Sequence, residues 1–198
     1  MGKHLALIGG GHAHMMILEN LEQFTGKGFK VSVIGPCDHH YYSGMGPGML
    51  GGTYSPEDIR FDTKKVVTRQ GGTFIRDRVK HLDPKAKEIY TESGQRIGYD
   101  VVCCNAGSYI PMDKDVGQLE NAYAVKPIEK LWEAAKKLEL LFKEKKVRVS
   151  IVGGGPSSAE VAGNVWELAQ RTGGQVPEIQ IFARSRLMAG FPESVRSR

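Results

Sequence analysis

Leu7-Ile8-Gly9-Gly10-Gly11 and, about 140 residues later, Ile151-Val152-Gly153-Gly154-Gly155 repeat one device, an apolar strand running into a glycine-rich turn that opens a helix. Glycine lets the chain bend tightly and lets backbone N–H groups approach a pyrophosphate, while the new helix offers unpaired amides and the positive end of its dipole. One such turn is weak evidence. Two in one chain imply two dinucleotide sites.

The surroundings of each turn read as β-α-β. Leu5–Ile8 is a short apolar run, and Met15, Ile17, Leu18, Leu21 and Phe24 recur at helical spacing until Gly26 and Gly28. Phe29–Ile34 closes the first unit as a strand that Gly35-Pro36 ends. Val147–Val152, a helix through Glu167 and the strand Ile179–Phe182 repeat the unit. Between them, residues 37–55 are rich in Gly, Pro, Tyr and His without a period, which predicts a long loop and a place for function. Thr73–Val79 reads as a third strand, and Ile89-Tyr90-Thr91 with Arg96-Ile97 as a small hairpin before the strand Val101–Cys104. Beyond Asn105-Ala106-Gly107 a linker leads to Pro127, placed for the first turn of a helix whose stripe is Ile128, Leu131, Trp132, Ala135, Leu138 and Phe142. That stripe is too short for a coiled coil and predicts packing against a sheet.

Composition excludes other classes. A chain of 198 residues that is 40% hydrophobic can bury a globular core. No run approaches the roughly 18 apolar residues of a membrane span, and the N-terminus enters the first strand directly, so a cytoplasmic protein is expected. Cys37, Cys103 and Cys104 form neither a CxxC spacing nor a disulfide framework. The net charge of +5 draws on Lys136, Lys137, Lys143, Lys145 and Lys146, read as a solvated helix face. Basic residues are not interleaved with exposed aromatics, so no nucleic-acid partner is expected.

The two turns differ in detail. The first meets GxGxxG at Gly9 and Gly11, but His14 holds the third position, where a small residue normally lets helix and strand pack closely. The acidic residue expected after the second strand is missing, with Gly35 in its place and Asp38 a few residues on. The second reads GxGxxxxE, with Gly153, Gly155 and Glu160, and offers Ser157 or Ser158 to a phosphate. Its following strand ends Phe182-Ala183-Arg184-Ser185-Arg186, without a carboxylate for a ribose 2′-hydroxyl. Two guanidiniums there tip the balance slightly toward NADPH, the alternative being that they are simply solvated.

The ordered set LIGGGHAH, YYSGMGPGML, RDRVKHLD, the hairpin, YDVVCCNAGS and VSIVGGGPSSAEVAG resembles the pyridine nucleotide-disulphide oxidoreductase superfamily of two-dinucleotide flavoproteins. Within it the chain is most similar to the branch of type II NADH dehydrogenases, sulfide:quinone oxidoreductases and the flavoprotein domain fused to some selenide, water dikinases. The resemblance implies a Rossmann-type α/β fold with a parallel sheet and a small antiparallel hairpin insertion. It also implies FAD at residues 1–123, NAD(P)H at residues 124–198, and hydride transfer to the flavin and on to a small-molecule acceptor, quinone-like or other. Carried over by position, Gly9, Gly10, Gly11, His12 and Ala13 line the FAD pyrophosphate, with Pro36 nearby. Val79 meets the adenine, and Ala106-Gly107-Ser108 match the family's turn near the cofactor. Ser43 and Pro47 belong to a loop that approaches the isoalloxazine, while Gly153, Gly155, Pro156, Ser157, Ser158, Glu160 and Arg184 hold the nicotinamide nucleotide.

Departures from the pattern carry their own expectations. Paired redox cysteines are absent, which argues against dithiol chemistry. The sequence stops about 15 residues after Phe182, where family members continue, so it reads as an N-terminal half with an incomplete FAD site, inactive by itself, self-associating, and lacking the part through which relatives touch membranes. A nucleotide-binding or assembly module without turnover is the alternative, and a sulfide- or selenide-handling enzyme using Cys37 a further one. Cys37 and Glu160 are the candidate catalytic residues. His12, His14, His39 and His40 lack the spacing of a zinc site. Cys103 and Cys104 read as core residues. Tyr41 and Tyr42 either stack near a flavin ring or cap the sheet edge.

Overall fold

The computed structural model describes residues 2–112 and 119–197, so residues 113–118 of the linker lie outside it. The chain divides into two compact units, one of residues 1–42 and 60–108, the other of residues 43–59 and 109–198.

The first unit is built on β1 (His4–Ile8), which pairs in parallel with β2 (Lys30–Gly35). Between these strands lie a 3-10 turn over His12–His14, α1 (Met15–Glu19) and α2 (Glu22–Thr25). The stripe from Met15 to Phe24 is thus two short helices rather than one. At the break, Asn20 Nδ2 donates back to the Met16 carbonyl (2.9 Å). The Gln70 side chain takes over the groups left open, donating to Leu18 O (2.6 Å) and accepting from Glu22 N (3.2 Å).

Residues 37–55 are more ordered than their composition suggests. They contain β3 (His39–Tyr41), a 3-10 turn over Ser43–Met45 and α3 (Gly46–Leu50), with Pro47 in the first turn. Proline lacks the N–H that a first turn leaves unpaired, so a segment poor in helix formers still starts a helix. β4 (Arg60–Asp62) pairs antiparallel with β3 and leads into α4 (Thr63–Arg69), which Asp62 caps by accepting from Lys65 N at 2.9 Å.

The single strand expected over Thr73–Val79 is two, β5 (Thr73–Arg76) and β6 (Val79–Asp83). Asp77 turns the corner: its N–H reaches Gly35 O (3.0 Å), and its carboxylate accepts from Arg78 N and Ser93 Oγ. β6, β7 (Glu88–Thr91) and β8 (Arg96–Gly98) form an antiparallel sheet, and β9 (Val101–Cys104) returns to the parallel one, whose order is β5-β2-β1-β9. Successive side chains on a strand face opposite ways. Accordingly Leu7, Val31 and Val33 pack with Leu18, Leu21 and Val67 from the helices, while Ala6, Ile8 and Ile34 pack with Ile89 and Ile97 from the antiparallel sheet. Cys103 joins the helix-side core, but Cys104 is exposed, because β9 is an edge of the sheet among the described residues.

In the second unit, α5 (Glu129–Glu144) begins two residues after Pro127, and β10 (Arg148–Val152), α6 (Pro156–Thr172) and β11 (Glu178–Phe182) form the repeated β-α-β, with β10 and β11 parallel. α6 runs past Glu167 to Thr172 and stops at Gly173, which adopts the left-handed conformation (φ 62°). Phe142, Val165, Leu168 and Ala169 are buried, as are Met49, Leu50 and Ile59. α3 packs on both α5 and α6, so segment 43–59 belongs structurally to this unit. α7 (Glu193–Arg196) follows. Among the described residues no helix is long and apolar enough to cross a membrane.

Candidate functional site

Each glycine turn lies at the carboxyl end of a parallel strand pair, the place where open α/β sheets receive ligands. In the first unit β1 has β2 on one side and β9 on the other, so the chain order reverses across it. Gly9 N donates to Ile34 O and Asn105 N to Ile8 O, both at 2.8 Å, so the ladder hydrogen bonds run into the turn itself. Gly9 has φ +86°, a conformation that side chains rarely adopt, and a Cβ there would stand 2.2 Å from the Asn105 carbonyl oxygen. At Gly11 a Cβ would stand 2.0 Å from Asn105 Oδ1. What these glycines make room for inside the fold is therefore Asn105. The amides of Gly10, Gly11, His12 and Ala13 have no hydrogen-bond partner among the described residues. An acceptor-rich anion matches that row of donors.

His14 explains its own presence at the third glycine position. Its side chain is 1% exposed, and Nδ1 donates to the Gly9 carbonyl at 2.8 Å, leaving Nε2 buried without a partner. The imidazole occupies the interval that a closer helix–strand packing would close, and it grips the turn. His12 is exposed, with its ring 5.3 Å from that of Tyr42, so Tyr42 lies beside the turn while Tyr41 pairs with Arg60 in the β3–β4 ladder. Ala106, Gly107 and Ser108 are exposed, and a side chain at Gly107 would meet nothing within 4 Å. Val79 starts β6 opposite Thr91, next to an irregularity in the register, and Pro36 is exposed after β2. Cys37 Sγ donates to the His39 carbonyl at 2.8 Å, so His39 meets the thiol through its backbone, not as a charged ring that would stabilise a thiolate.

In the second unit Gly153 N donates to Phe182 O (2.9 Å), and Gly155 is the N-cap of the 17-residue α6, with Pro156 in the first turn and no side-chain cap. A Cβ added at Gly155 would meet nothing within 4 Å, and no side chain caps the first-turn amides. Ser158 is buried, its Oγ 3.1 Å from where a Gly153 Cβ would be, whereas Ser157 is exposed. Glu160 is exposed, and its carbonyl accepts from Asn164 Nδ2 at 2.8 Å. Arg184 and Arg186 are exposed on the segment after β11, which folds back so that Met188 N donates to Gly154 O (2.6 Å). Ser43 is exposed and Pro47 half-buried, both in this unit.

The glycines are marked by their spacing in the sequence, whereas no motif marks Asn105. The available signal was its chemistry: a carboxamide directly after the apolar run Val101–Cys104 is out of pattern for a sheet.

Two β-α-β units, each with a glycine turn between its first strand and its helix, define a Rossmann-type α/β fold. The model of the family described as Pyridine nucleotide-disulphide oxidoreductase, whose members are flavoprotein oxidoreductases, matches residues 3–198, and the chain belongs to that family. It is 27% identical over 144 residues to the mitochondrial sulfide:quinone oxidoreductase of Dictyostelium discoideum, covering 68% of this chain and 31% of that protein. It is also 27% identical over 142 residues to the sulfide-quinone reductase of Aquifex aeolicus, covering 72% and 33%. The solved structure of NDH2 from Plasmodium falciparum in complex with NADH superposes with a TM-score of 0.77 at 18% identity, covering 98% of this chain and 44% of that one. The chain thus spans about a third of the length of these two curated relatives.

Proposed function

We propose that this chain carries the nucleotide-binding part of an FAD-dependent oxidoreductase that takes a hydride from NAD(P)H and passes electrons to a small-molecule acceptor, quinone-like as in the relatives. The observation that carries this reading is the row of unpaired amides at Gly10–Ala13 beside the tightly packed Gly9–Asn105 junction, in a chain of this family. These residues fit a pyrophosphate, which presents acceptors only. FAD bound there would supply the hydride acceptor. The chain's own residues bind and orient: Gly10, Gly11, His12 and Ala13 the diphosphate, Val79 the adenine, and Ala106, Gly107 and Ser108 the adjoining backbone wall. Residues 1–123 and 124–198 are assigned to FAD and NAD(P)H in turn.

For the second nucleotide, α6 would meet the phosphates with its uncapped first turn and Ser157, Glu160 would lie toward the nicotinamide, and Arg184 would select the 2′-phosphate of NADPH. Arg184 stands exposed near a turn that is tied to its own segment by the Met188–Gly154 hydrogen bond, which supports this reading.

The test is spectroscopic. The purified chain, titrated with FAD, should quench the flavin fluorescence on binding; a chain that leaves the fluorescence unchanged at saturating concentration would leave a nucleotide-binding module without turnover as the better reading. At equilibrium NADPH should then bind about tenfold or more tighter than NADH, and Arg184→Ala should remove the difference, as a charge-assisted contact of about 1.5–3 kcal/mol requires. Equal affinities in the unaltered chain would remove Arg184 from the assignment.

A further inference from the structure

Asn105 does more than the strand needs. Its backbone alone completes the sheet, donating from N to Ile8 O (2.8 Å) and packing its carbonyl under Gly9. An alanine would do both. The carboxamide is an addition: Oδ1 lies where a Gly11 side chain would begin, 2.0 Å from that Cβ position, with Cγ at 2.6 Å. It fills the inside of the turn while His14 holds the Gly9 carbonyl at 2.8 Å, so two side chains fix the peptide planes that carry the unpaired amides. A carboxamide also has two N–H donors. Those of Asn105 have no partner among the described residues, and the residue is half-buried at the carboxyl ends of β1 and β9.

We propose that Asn105 is a positioning and recognition residue for the diphosphate of the bound dinucleotide, wedging the glycine turn open-faced with Oδ1 and adding its NH2 group to the amide donors of Gly10–Ala13. The proposal rests on the reading that the first unit binds FAD. It makes the glycine at position 11 and the asparagine at position 105 a matched pair.

The experiment titrates the full chain with FAD by flavin fluorescence and with ADP by calorimetry, and records the melting temperature of each variant without ligand. Asn105→Ala should weaken both FAD and ADP by about tenfold or more while the melting temperature stays close to that of the unaltered chain. Asn105→Asp keeps the size and the oxygen against Gly11 but sets a carboxylate toward the phosphates, and should weaken both further. Gly11→Ala should lower the melting temperature, and adding Asn105→Gly should recover part of that loss without restoring affinity, since the position 105 carbonyl oxygen at 2.9 Å stays in place. Two results overturn the proposal: FAD and ADP affinities of Asn105→Ala and Asn105→Asp within about twofold of the unaltered chain, or affinity losses only in step with lost thermal stability. An unaltered chain that binds ADP but no FAD at saturating concentration overturns the flavin reading while leaving Asn105 testable with ADP. One that binds neither overturns both.

Discussion

His4 shows how one side chain reports on the register of the parallel sheet. Its amide donates to Asp100 Oδ2 at 2.6 Å, Nδ1 donates to Gly98 O at 2.6 Å, and Nε2 accepts from Ser32 Oγ at 2.9 Å, so the neutral ring ties β1 to β2 and to the entry of β9. Burial, with Lys30 adding repulsion, holds its pKa below the usual 6.5 against the opposing pull of the Gly98 carbonyl and Asp100. A histidine whose folded pKa is lowered binds fewer protons folded than unfolded. Stability is therefore lost as pH falls through 6.5 toward the lowered value and kept above it. Urea midpoints should drop between about pH 7.5 and about pH 5 by more in the unaltered chain than in His4→Gln, which keeps hydrogen bonding without titrating. Equal pH slopes in the two proteins would refute the assignment. At this scale the sequence was only partly readable. The Gly9 and Gly11 spacing is visible in one dimension, but the residue those glycines abut lies 94 positions beyond Gly11 in the chain, and contact between them is a product of β1–β9 pairing that no local pattern records.

Among elements, the helix side of the first unit depends on a single carboxamide. Gln70, 9% exposed, donates to Leu18 O at 2.6 Å and Val66 O at 3.2 Å and accepts from Glu22 N at 3.2 Å, bridging α1, α2 and the end of α4. Gln70→Ala orphans a buried carbonyl and a partly buried amide, and should cost about 2 kcal/mol or more in urea unfolding. A loss under about 0.5 kcal/mol would mean that water takes over both groups. This link explains why the apolar stripe predicted one helix where there are two: the stripe records which residues face the core, and that face is continuous, while the break is in hydrogen bonds supplied from 48 and 52 residues away. The strands were more legible, because β1, β2, β9, β10 and β11 are short apolar runs ended by Gly, Pro or polar turns. Residues 37–55 misled in the other direction, since glycine and proline usually signal a loop, yet Pro47 starts α3 and tertiary packing on α5 and α6 supplies what helix propensity lacks.

For the molecule as a whole, the chain passes between its two units three times, near residues 42, 59 and 108. Cutting after Ser108 therefore does not yield a clean first unit. It strands segment 43–59, with Met49, Leu50 and Ile59 at 1%, 1% and 0% exposure, away from α5 and α6, on which α3 packs. A protein ending at residue 108 should show dye-accessible apolar surface and self-association, seen by light scattering beside the full chain. A monodisperse 108-residue protein with a sharp unfolding transition would show that segment 43–59 finds cover within the first unit. The same interleaving has a consequence on the ribosome. Gly46 waits for Ile128 and Gly51 for Asn164, since a Cβ on either glycine would collide with that residue. At a synthesis rate of about 5–20 residues per second the segment spends on the order of 5–20 s outside the exit tunnel before its cover has been translated. During that interval Met49 and Leu50 are an apolar target for a holdase chaperone, and the strength of that recruitment should rise when elongation between codons 60 and 128 is slowed.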